Sequence, residues 1–132
     1  MTMRRDYIRH GVGCMRPYLH GPRDLPAFLV AVFGAVELER HAFGAERFHV
    51  ELQVDDAVVV VEAGDLPAGV EPWGGSVYVY VEDVDGVYKR AIEHGAVSVA
   101  APEDKPYDER QAGFLDAGGN TWWVASYRGV AR

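Results

Sequence analysis

His49 and Glu51 lie two positions apart in the stretch FHVELQVDDAVVVV (48–61). With the two-residue period of a β-strand, Val50 and Leu52 point to one side and the imidazole and carboxylate point to the other. Such a pair could bind a metal ion, transfer a proton or form the polar wall of a pocket. A polar stripe facing solvent is the alternative without a chemical role. The spacing of the two residues does not decide between these alternatives.

The chain carries two copies of one structural unit, which decides where this strand lies. DLPAFLVAVFGAV (24–36) aligns with DGVYKRAIEHGAV (85–97), and the first aspartate and the final Gly-Ala-Val are identical in the two segments. Each segment begins with an aspartate suited to capping a helix and ends near a glycine of the kind that terminates helices. We therefore predict two helices of about ten residues.

One predicted strand precedes each helix and three follow it. The predicted strands are 15–19, 36–41, 48–54 and 57–63 in the first unit, and 77–81, 96–101, 111–115 and 121–126 in the second. This β-α-β-β-β order predicts an α+β protein with mixed sheets and the helix on one side of each sheet. We expect one domain over 1–132, with unit one at about 14–64, a Gly/Pro-rich linker at 65–75 and unit two at about 76–127.

The second unit predicts a sheet face rich in aromatic side chains. In VYVYV (77–81) the valines would meet the helix, while Tyr78 and Tyr80 point away together with Ser76. In the last strand Trp122 would lie on the helix side and Trp123 on the other. Such a face is usually a binding site or an interface, and it suits flat or cationic ligands. Ordinary packing or a dimer seam is the alternative.

Composition excludes several classes of function. The 132 residues carry a formal net charge of -7, which argues against nucleic acid and anionic membranes as partners. The longest apolar segment, 25–36, is much shorter than the ~20 residues that span a bilayer, and no apolar run follows the basic residues at the N-terminus. Cys14 is the only cysteine, so no internal disulfide forms. We expect a soluble, cytoplasmic protein.

These features resemble the vicinal oxygen chelate superfamily, which includes glyoxalase I, bleomycin-resistance proteins and extradiol dioxygenases. The resemblance covers about 15–127 and rests on VFGAVELER, FHVELQVDD, VYVYVEDVDGVYKRAIEHGAV and APEDKPYDERQAGFLDAGGNTWWVASY, in that order. It implies the glyoxalase/bleomycin-resistance fold, two βαβββ repeats that form mixed sheets around a concave cavity. It also implies a homodimer.

In the metal-dependent members the resemblance implies four metal ligands. Their positions fall on Glu51, on Ser76 (with Tyr78 two residues further), on Trp123, and near Arg16 or Pro17, with His20 just downstream. Of the four positions, Glu51 alone retains a residue that can bind a metal well. We therefore expect that the metal has been lost and that no cofactor is used. A divalent metal held by Glu51 with His49 or His20 is the alternative.

The sequence thus predicts a metal-free binder of a small aromatic molecule that can also be cationic. The predicted ligand-binding residues are His49, Glu51, Ser76, Tyr78, Tyr80, Arg110 and Trp123. Arg110 could also be the partner of Glu51, and Trp73 is interpreted as an anchor or a lid. The alternative function is a metal-dependent lyase, isomerase or dioxygenase with a rearranged ligand set. No catalytic residue is assigned.

Overall fold

The computed structural model describes residues 6–129 and contains the two predicted β-α-β-β-β units. Unit one consists of β1 (Tyr18–Gly21), α1 (Leu25–Phe33), β2 (Val36–Ala42), β3 (Arg47–Val54) and β4 (Ala57–Gly64). Unit two consists of β5 (Ser76–Tyr80), α2 (Val84–Glu93), β6 (Val97–Lys105), β7 (Glu109–Leu115) and β8 (Thr121–Tyr127). A 3-10 turn, Arg9–Gly11, precedes β1.

Each unit forms one mixed four-stranded sheet. The strand order is β1-β4-β3-β2 in sheet one and β5-β8-β7-β6 in sheet two. The pairs β1–β4 and β5–β8 are parallel, and the remaining pairs are antiparallel. The predicted α+β class is therefore confirmed, and the two sheets repeat the same topology.

Two element boundaries differ from the predictions for local reasons. β1 begins at Tyr18 rather than at residue 15, because Arg16 is turned back to bond the preceding backbone and Pro17 has no N–H to give to a strand. β6 continues to Lys105 although it contains Pro102, which is tolerated because β6 is an edge strand with two register shifts.

The helix caps show that the two aligned aspartates are not equivalent. Asp24 precedes α1, but in the second unit Asp83 caps α2 and accepts a hydrogen bond from the Gly86 N–H at 3.0 Å. Asp85, which the alignment predicts as the cap, lies inside the first turn of α2. Gly86 makes this cap possible, because a Cβ at that position would lie 2.3 Å from a carboxylate oxygen of Asp83.

The helix sides of both sheets belong to one hydrophobic core. Phe33 at the end of α1 packs against Trp122 of β8 and Phe114 of β7, with ring centroids 4.9 Å and 6.2 Å apart. The core contains Leu19, Val50, Leu52 and Val61 from sheet one, Ala112, Phe114, Trp122 and Val124 from sheet two, and residues of both helices. The opposite face of each sheet therefore points away from this core, and we call it the outer face.

The outer faces carry the polar and aromatic residues that the strand periodicity predicts. Trp122 is fully buried in the core, while its neighbour Trp123 is partly exposed on the outer face of sheet two. Glu51 lies on the outer face of sheet one, between the core residues Val50 and Leu52. Neither helix within residues 6–129 has the length and apolar composition needed to cross a membrane.

Candidate functional site

Glu51 is a buried carboxylate whose cationic partner is Arg16. Its side chain is about 5% exposed, and Arg16 Nη1 donates to its Oε1 at 2.9 Å. His49 Nε2 lies 3.7 Å from Oε2. The partner suggested by the sequence, Arg110, instead bonds Asp85 and Asp104, so that interpretation was wrong. Burial of this carboxylate is compensated because a guanidinium lies directly against it.

Arg16 also holds the preceding backbone across the outer face of sheet one. Its Nε donates to the carbonyl oxygen of Gly13 at 2.7 Å, and its Nη2 donates to those of Arg9 at 2.5 Å and Val12 at 3.0 Å. Gly13 passes close to the sheet, since a Cβ there would lie 3.2 Å from the Val58 nitrogen. Residues 9–16 thus form a strap over Glu51, which we call the N-terminal strap.

The predicted histidines have separate partners. His49 Nδ1 lies 2.6 Å from Glu62 Oε1, which also accepts a hydrogen bond from the Tyr18 hydroxyl at 3.2 Å. His20 Nε2 lies 3.0 Å from the carbonyl oxygen of Gly64, beside the ring of Trp73. His49 is therefore a hydrogen-bonded wall residue near Glu51, whereas the contacts of His20 are with the end of β4 and the linker.

Trp73 anchors the linker to sheet one. Its indole N–H donates to the carbonyl oxygen of Tyr18 at 3.0 Å, and the two rings pack with centroids 5.2 Å apart. The hydrogen bond ties the end of the linker, just before β5, to β1. Of the two roles that the sequence left open, the contacts of Trp73 are those of an anchor.

The strap brings three metal-ligand side chains together, but two arginines already neutralise them. Ligand atoms of His10, Glu39 and Glu51 all lie within 4.8 Å of one another. Arg9 Nη1 donates to Glu39 Oε2 at 2.6 Å, as Arg16 does to Glu51. An ion would have to displace two guanidinium groups that balance the two carboxylate charges. Of the four positions implied by the resemblance, three hold Ser76, Trp123 and Arg16 or Pro17, which are not metal ligands. The fourth, Glu51, is bound by Arg16, so these carboxylates are not free to hold a resident divalent ion.

A second cluster occupies the outer face of sheet two. The hydroxyls of Tyr78 and Tyr80 each donate to one carboxylate oxygen of Glu109. The hydrogen bond from Tyr80 to Oε2 is 2.6 Å long. Gln111 Nε2 donates to the Tyr78 hydroxyl at 2.8 Å and to that of Tyr107 at 3.3 Å. Glu109 is 8% exposed, while Tyr78 and Tyr80 are 48% and 60% exposed. A fixed carboxylate therefore lies beneath two open aromatic rings.

Trp123 extends this cluster because β7 carries a glycine beside it. Trp123 pairs in register with Tyr78 on β5 and with Gly113 on β7. A Cβ at position 113 would lie 2.6 Å from the indole ring, so any other residue would displace the ring. Glycine thus lets the indole lie across β7, on the same face of sheet two as the tyrosines.

The electrostatics keep Glu109 ionised and its two phenols neutral. Hydrogen bonds from Tyr78 and Tyr80 lower the pKa of the Glu109 carboxyl. Burial, followed by the hydrogen bond to Glu109, raises the pKa of Tyr78 to about 12, and the bond to Glu109 raises the pKa of Tyr80. Within residues 6–129 no cationic side chain forms an ion pair with Glu109. Lys105 lies opposite Glu109 on β6, but its amine pairs with Glu103.

We expect the Tyr78 phenol to ionise near pH 12 in the native protein and at a lower pH in the Glu109→Gln variant. The reason is that an amide has no charge to oppose a phenolate, while burial still disfavours the ionised form. Tyrosinate absorbance measures the titration, and the Tyr78→Phe variant assigns the midpoint. An unchanged midpoint in Glu109→Gln would show that the carboxylate does not govern this phenol.

The remaining predicted residues are more dispersed. Ser76 is exposed at the start of β5, on the same face as Tyr78. Arg110 alternates with Glu109 and Gln111 on β7 and reaches Asp85 of α2, so its side chain lies on the helix side of the sheet. The structure therefore does not bring Arg110 to the tyrosines.

Glu109 was missed at the sequence level. The strand was predicted to begin at Gln111, which placed Glu109 in the preceding loop, but β7 begins at Glu109. Continuing the two-residue alternation one step toward the N-terminus from Gln111 would have placed Glu109 on the outer face.

The Glu51 and Glu109 clusters lie on the outer faces of different sheets. In the part of the chain that the structure describes, no hydrogen bond or ion pair joins Glu51 or His49 to Tyr78, Tyr80 or Glu109. The sequence predicted that these groups line one cavity. Within one chain they form two separate clusters, because the sheets share a core on their opposite sides.

The chain is similar to several proteins of known structure. No protein-family model matches the chain, and no curated protein matches it. TioX from Micromonospora sp. ML1 is 29% identical with a TM-score of 0.69, covering 86% of this chain and 97% of TioX. A glyoxalase/bleomycin resistance protein/dioxygenase superfamily member from Sphaerobacter thermophilus DSM 20745 is 22% identical with a TM-score of 0.64, covering 87% and 95%.

A third similar structure contains a metal ion. The fosfomycin resistance protein FosX from Listeria monocytogenes, in complex with Mn(II) and sulfate, is 18% identical with a TM-score of 0.61, covering 86% of this chain and 91% of FosX. At this identity the likeness establishes the fold alone. From its repeated β-α-β-β-β units, its sheet topology and these matches, the chain has the fold of the glyoxalase/bleomycin resistance protein/dioxygenase superfamily, also called the vicinal oxygen chelate superfamily.

Proposed function

We propose that this protein is a metal-free binder of an aromatic, cationic small molecule, held on the outer face of sheet two. The observation that carries the proposal is Glu109, a nearly buried carboxylate held ionised by two phenols and unpaired with any cation in residues 6–129. An anionic group left without a cation beside exposed aromatic rings is suited to a ligand that supplies the charge.

Each residue of the cluster has a distinct role in this proposal. The Glu109 carboxylate attracts the charged group of the ligand. The Tyr78 and Tyr80 rings, with centroids 5.7 Å apart and an angle of 66° between their planes, give it π surfaces. Trp123 offers the largest flat surface for the ligand's ring. Gln111 does not contact the ligand but fixes the Tyr78 hydroxyl.

We further propose that a second copy of the chain completes the site. Both outer faces point away from the shared core, and that of sheet two exposes several large side chains: Tyr78, Tyr80, Val97 and Tyr127. If the outer face of sheet one of a partner lies opposite, His49 comes to the same cavity as the tyrosines, while Glu51 lies beneath the N-terminal strap. Sedimentation equilibrium should then give twice the mass of the chain, and a monomer at all concentrations would refute this arrangement.

The direct test is a calorimetric titration of chelator-stripped protein with naphthylmethylamine, which is a protonated aromatic amine at neutral pH. We expect saturable binding with one site per chain, unchanged when Mn²⁺ or Zn²⁺ is added, because the proposed contacts involve no metal. Absence of binding by this probe and by other protonated aromatic amines would contradict the proposal. Binding that requires a metal ion would also contradict it.

The cluster of His10, Glu39 and Glu51 favours one alternative, a metal-dependent lyase, isomerase or dioxygenase with a rearranged ligand set. This function requires an ion to displace Arg9 and Arg16 from the two carboxylates. A ligand at ~100 times its dissociation constant stabilises a protein by about 2.7 kcal/mol. A clear rise in melting temperature with one of Zn²⁺, Ni²⁺, Mn²⁺ or Fe²⁺ would therefore support the alternative, and no rise would exclude such a site.

A further inference from the structure

The hydrogen-bonding state of the Glu109 cluster narrows the class of ligand beyond the proposed function, on which this inference rests. Both phenol hydrogens are committed to Glu109, one to each carboxylate oxygen. A carboxylate has about four lone-pair sites, so about two remain. The Tyr80 hydroxyl oxygen also keeps acceptor capacity. Glu109 and the two phenols bound to it therefore offer acceptors and no free donor.

The side-chain amide of Gln111 keeps the Tyr78 hydroxyl in this orientation. Its Nε2 donates to the hydroxyl oxygen of Tyr78, which fixes that hydroxyl with its hydrogen directed to Glu109. The Tyr78 hydroxyl is thus prevented from turning its hydrogen outward. A ligand acceptor placed against Glu109 would meet the lone pairs of the carboxylate oxygens and would be repelled.

We propose that the site selects a cation that bears N–H donors, namely a protonated primary or secondary amine or an amidinium, joined to a flat aromatic ring. A quaternary ammonium group would satisfy the charge of Glu109 and the tyrosine rings, but its methyl groups cannot donate to the remaining oxygen lone pairs. Covering a nearly buried carboxylate without satisfying those acceptors costs free energy. Cation–π attraction alone would not distinguish the two cations, so discrimination depends on Glu109.

The test compares three probes that share one ring: naphthylmethylamine, its N-trimethylated ammonium analogue and naphthylmethanol. Each is titrated calorimetrically into native protein and into the Glu109→Gln variant. We expect the native protein to bind the amine about tenfold or more tightly than the quaternary ion, corresponding to one unsatisfied acceptor. We expect the alcohol to bind the most weakly. In Glu109→Gln the preference for the amine should disappear while weak binding of the ring persists.

Glu93→Gln is the matched control, because Glu93 is an exposed carboxylate of α2, on the opposite side of sheet two from Glu109. It should keep the native preference. Equal binding of the two cations by the native protein would overturn this inference and leave the proposed cationic binder standing. Equal binding of amine and alcohol would overturn both the inference and the cationic part of the proposed function. Failure of all three probes would overturn both entirely.

Discussion

Replacing Tyr78 and Trp123 together by alanine should weaken binding of naphthylmethylamine more than 100-fold while leaving the fold intact. Trp and Tyr truncations at binding hot spots each cost about 2 kcal/mol or more, and two such losses exceed a factor of 100. Both side chains lie on the outer face of sheet two and outside the hydrophobic core. Calorimetry measures the affinity, and urea denaturation checks that the unfolding midpoint is preserved.

Phe43→Ala is the control for this variant. Phe43 is an exposed aromatic residue between β2 and β3, packed by Arg47, and it belongs to neither cluster. Its removal should leave the affinity unchanged. Native affinity in the Tyr78→Ala, Trp123→Ala double variant would place the ligand elsewhere and refute the assignment of sheet two as the binding face.

Arg16→Met should lower the free energy of unfolding by about 3 kcal/mol, the lower end of the range for breaking a buried ion pair. The change leaves the Glu51 carboxylate buried without its hydrogen-bonded guanidinium and releases three strap carbonyls. The loss stays at the lower end because Arg9 Nε and His10 Nε2 lie within 3.9 Å of Glu51. Urea denaturation measures the change.

Two companion variants separate the buried charge from other effects. Adding Glu51→Met to Arg16→Met removes the uncompensated carboxylate and should restore part of the lost stability. Arg40→Met breaks the exposed Arg40–Glu37 pair, whose side chains are 38% and 37% exposed, and should cost less than 1 kcal/mol. A loss in Arg16→Met no larger than in Arg40→Met would mean that Glu51 does not depend on Arg16.

Much of the architecture was predictable because it is encoded locally. The alternation of valine with tyrosine in β5, and of Trp122 with Trp123 in β8, assigns each side chain to the core or the outer face. The glycine after each predicted helix marks its end, and Gly34 does adopt the left-handed conformation with φ of 67°. Local pattern therefore predicts the repeat, the strands and the polarity of each face.

The arrangement of the candidate site was harder to predict because it depends on contacts distant in sequence. Arg16 reaches Glu51 across 35 positions, and nothing in the local pattern around either residue indicates that pairing. The separation of Glu51 from Tyr78 follows from how Phe33 packs on Trp122 and unites the helix sides of the two sheets. Glu109 was missed because strand starts are less well defined by periodicity than strand interiors.

The central claim is that a ligand binds on the outer face of sheet two through Glu109, and an NMR titration tests it most directly. Amide proton–nitrogen spectra of chelator-stripped protein would be recorded as naphthylmethylamine is added. We predict that the Trp123 indole signal and the amides of β5, β7 and β8 shift first, without any metal ion, and that Glu109→Gln suppresses these shifts. Shifts confined to β3 and the N-terminal strap, or shifts that appear only with a divalent ion, would contradict the claim.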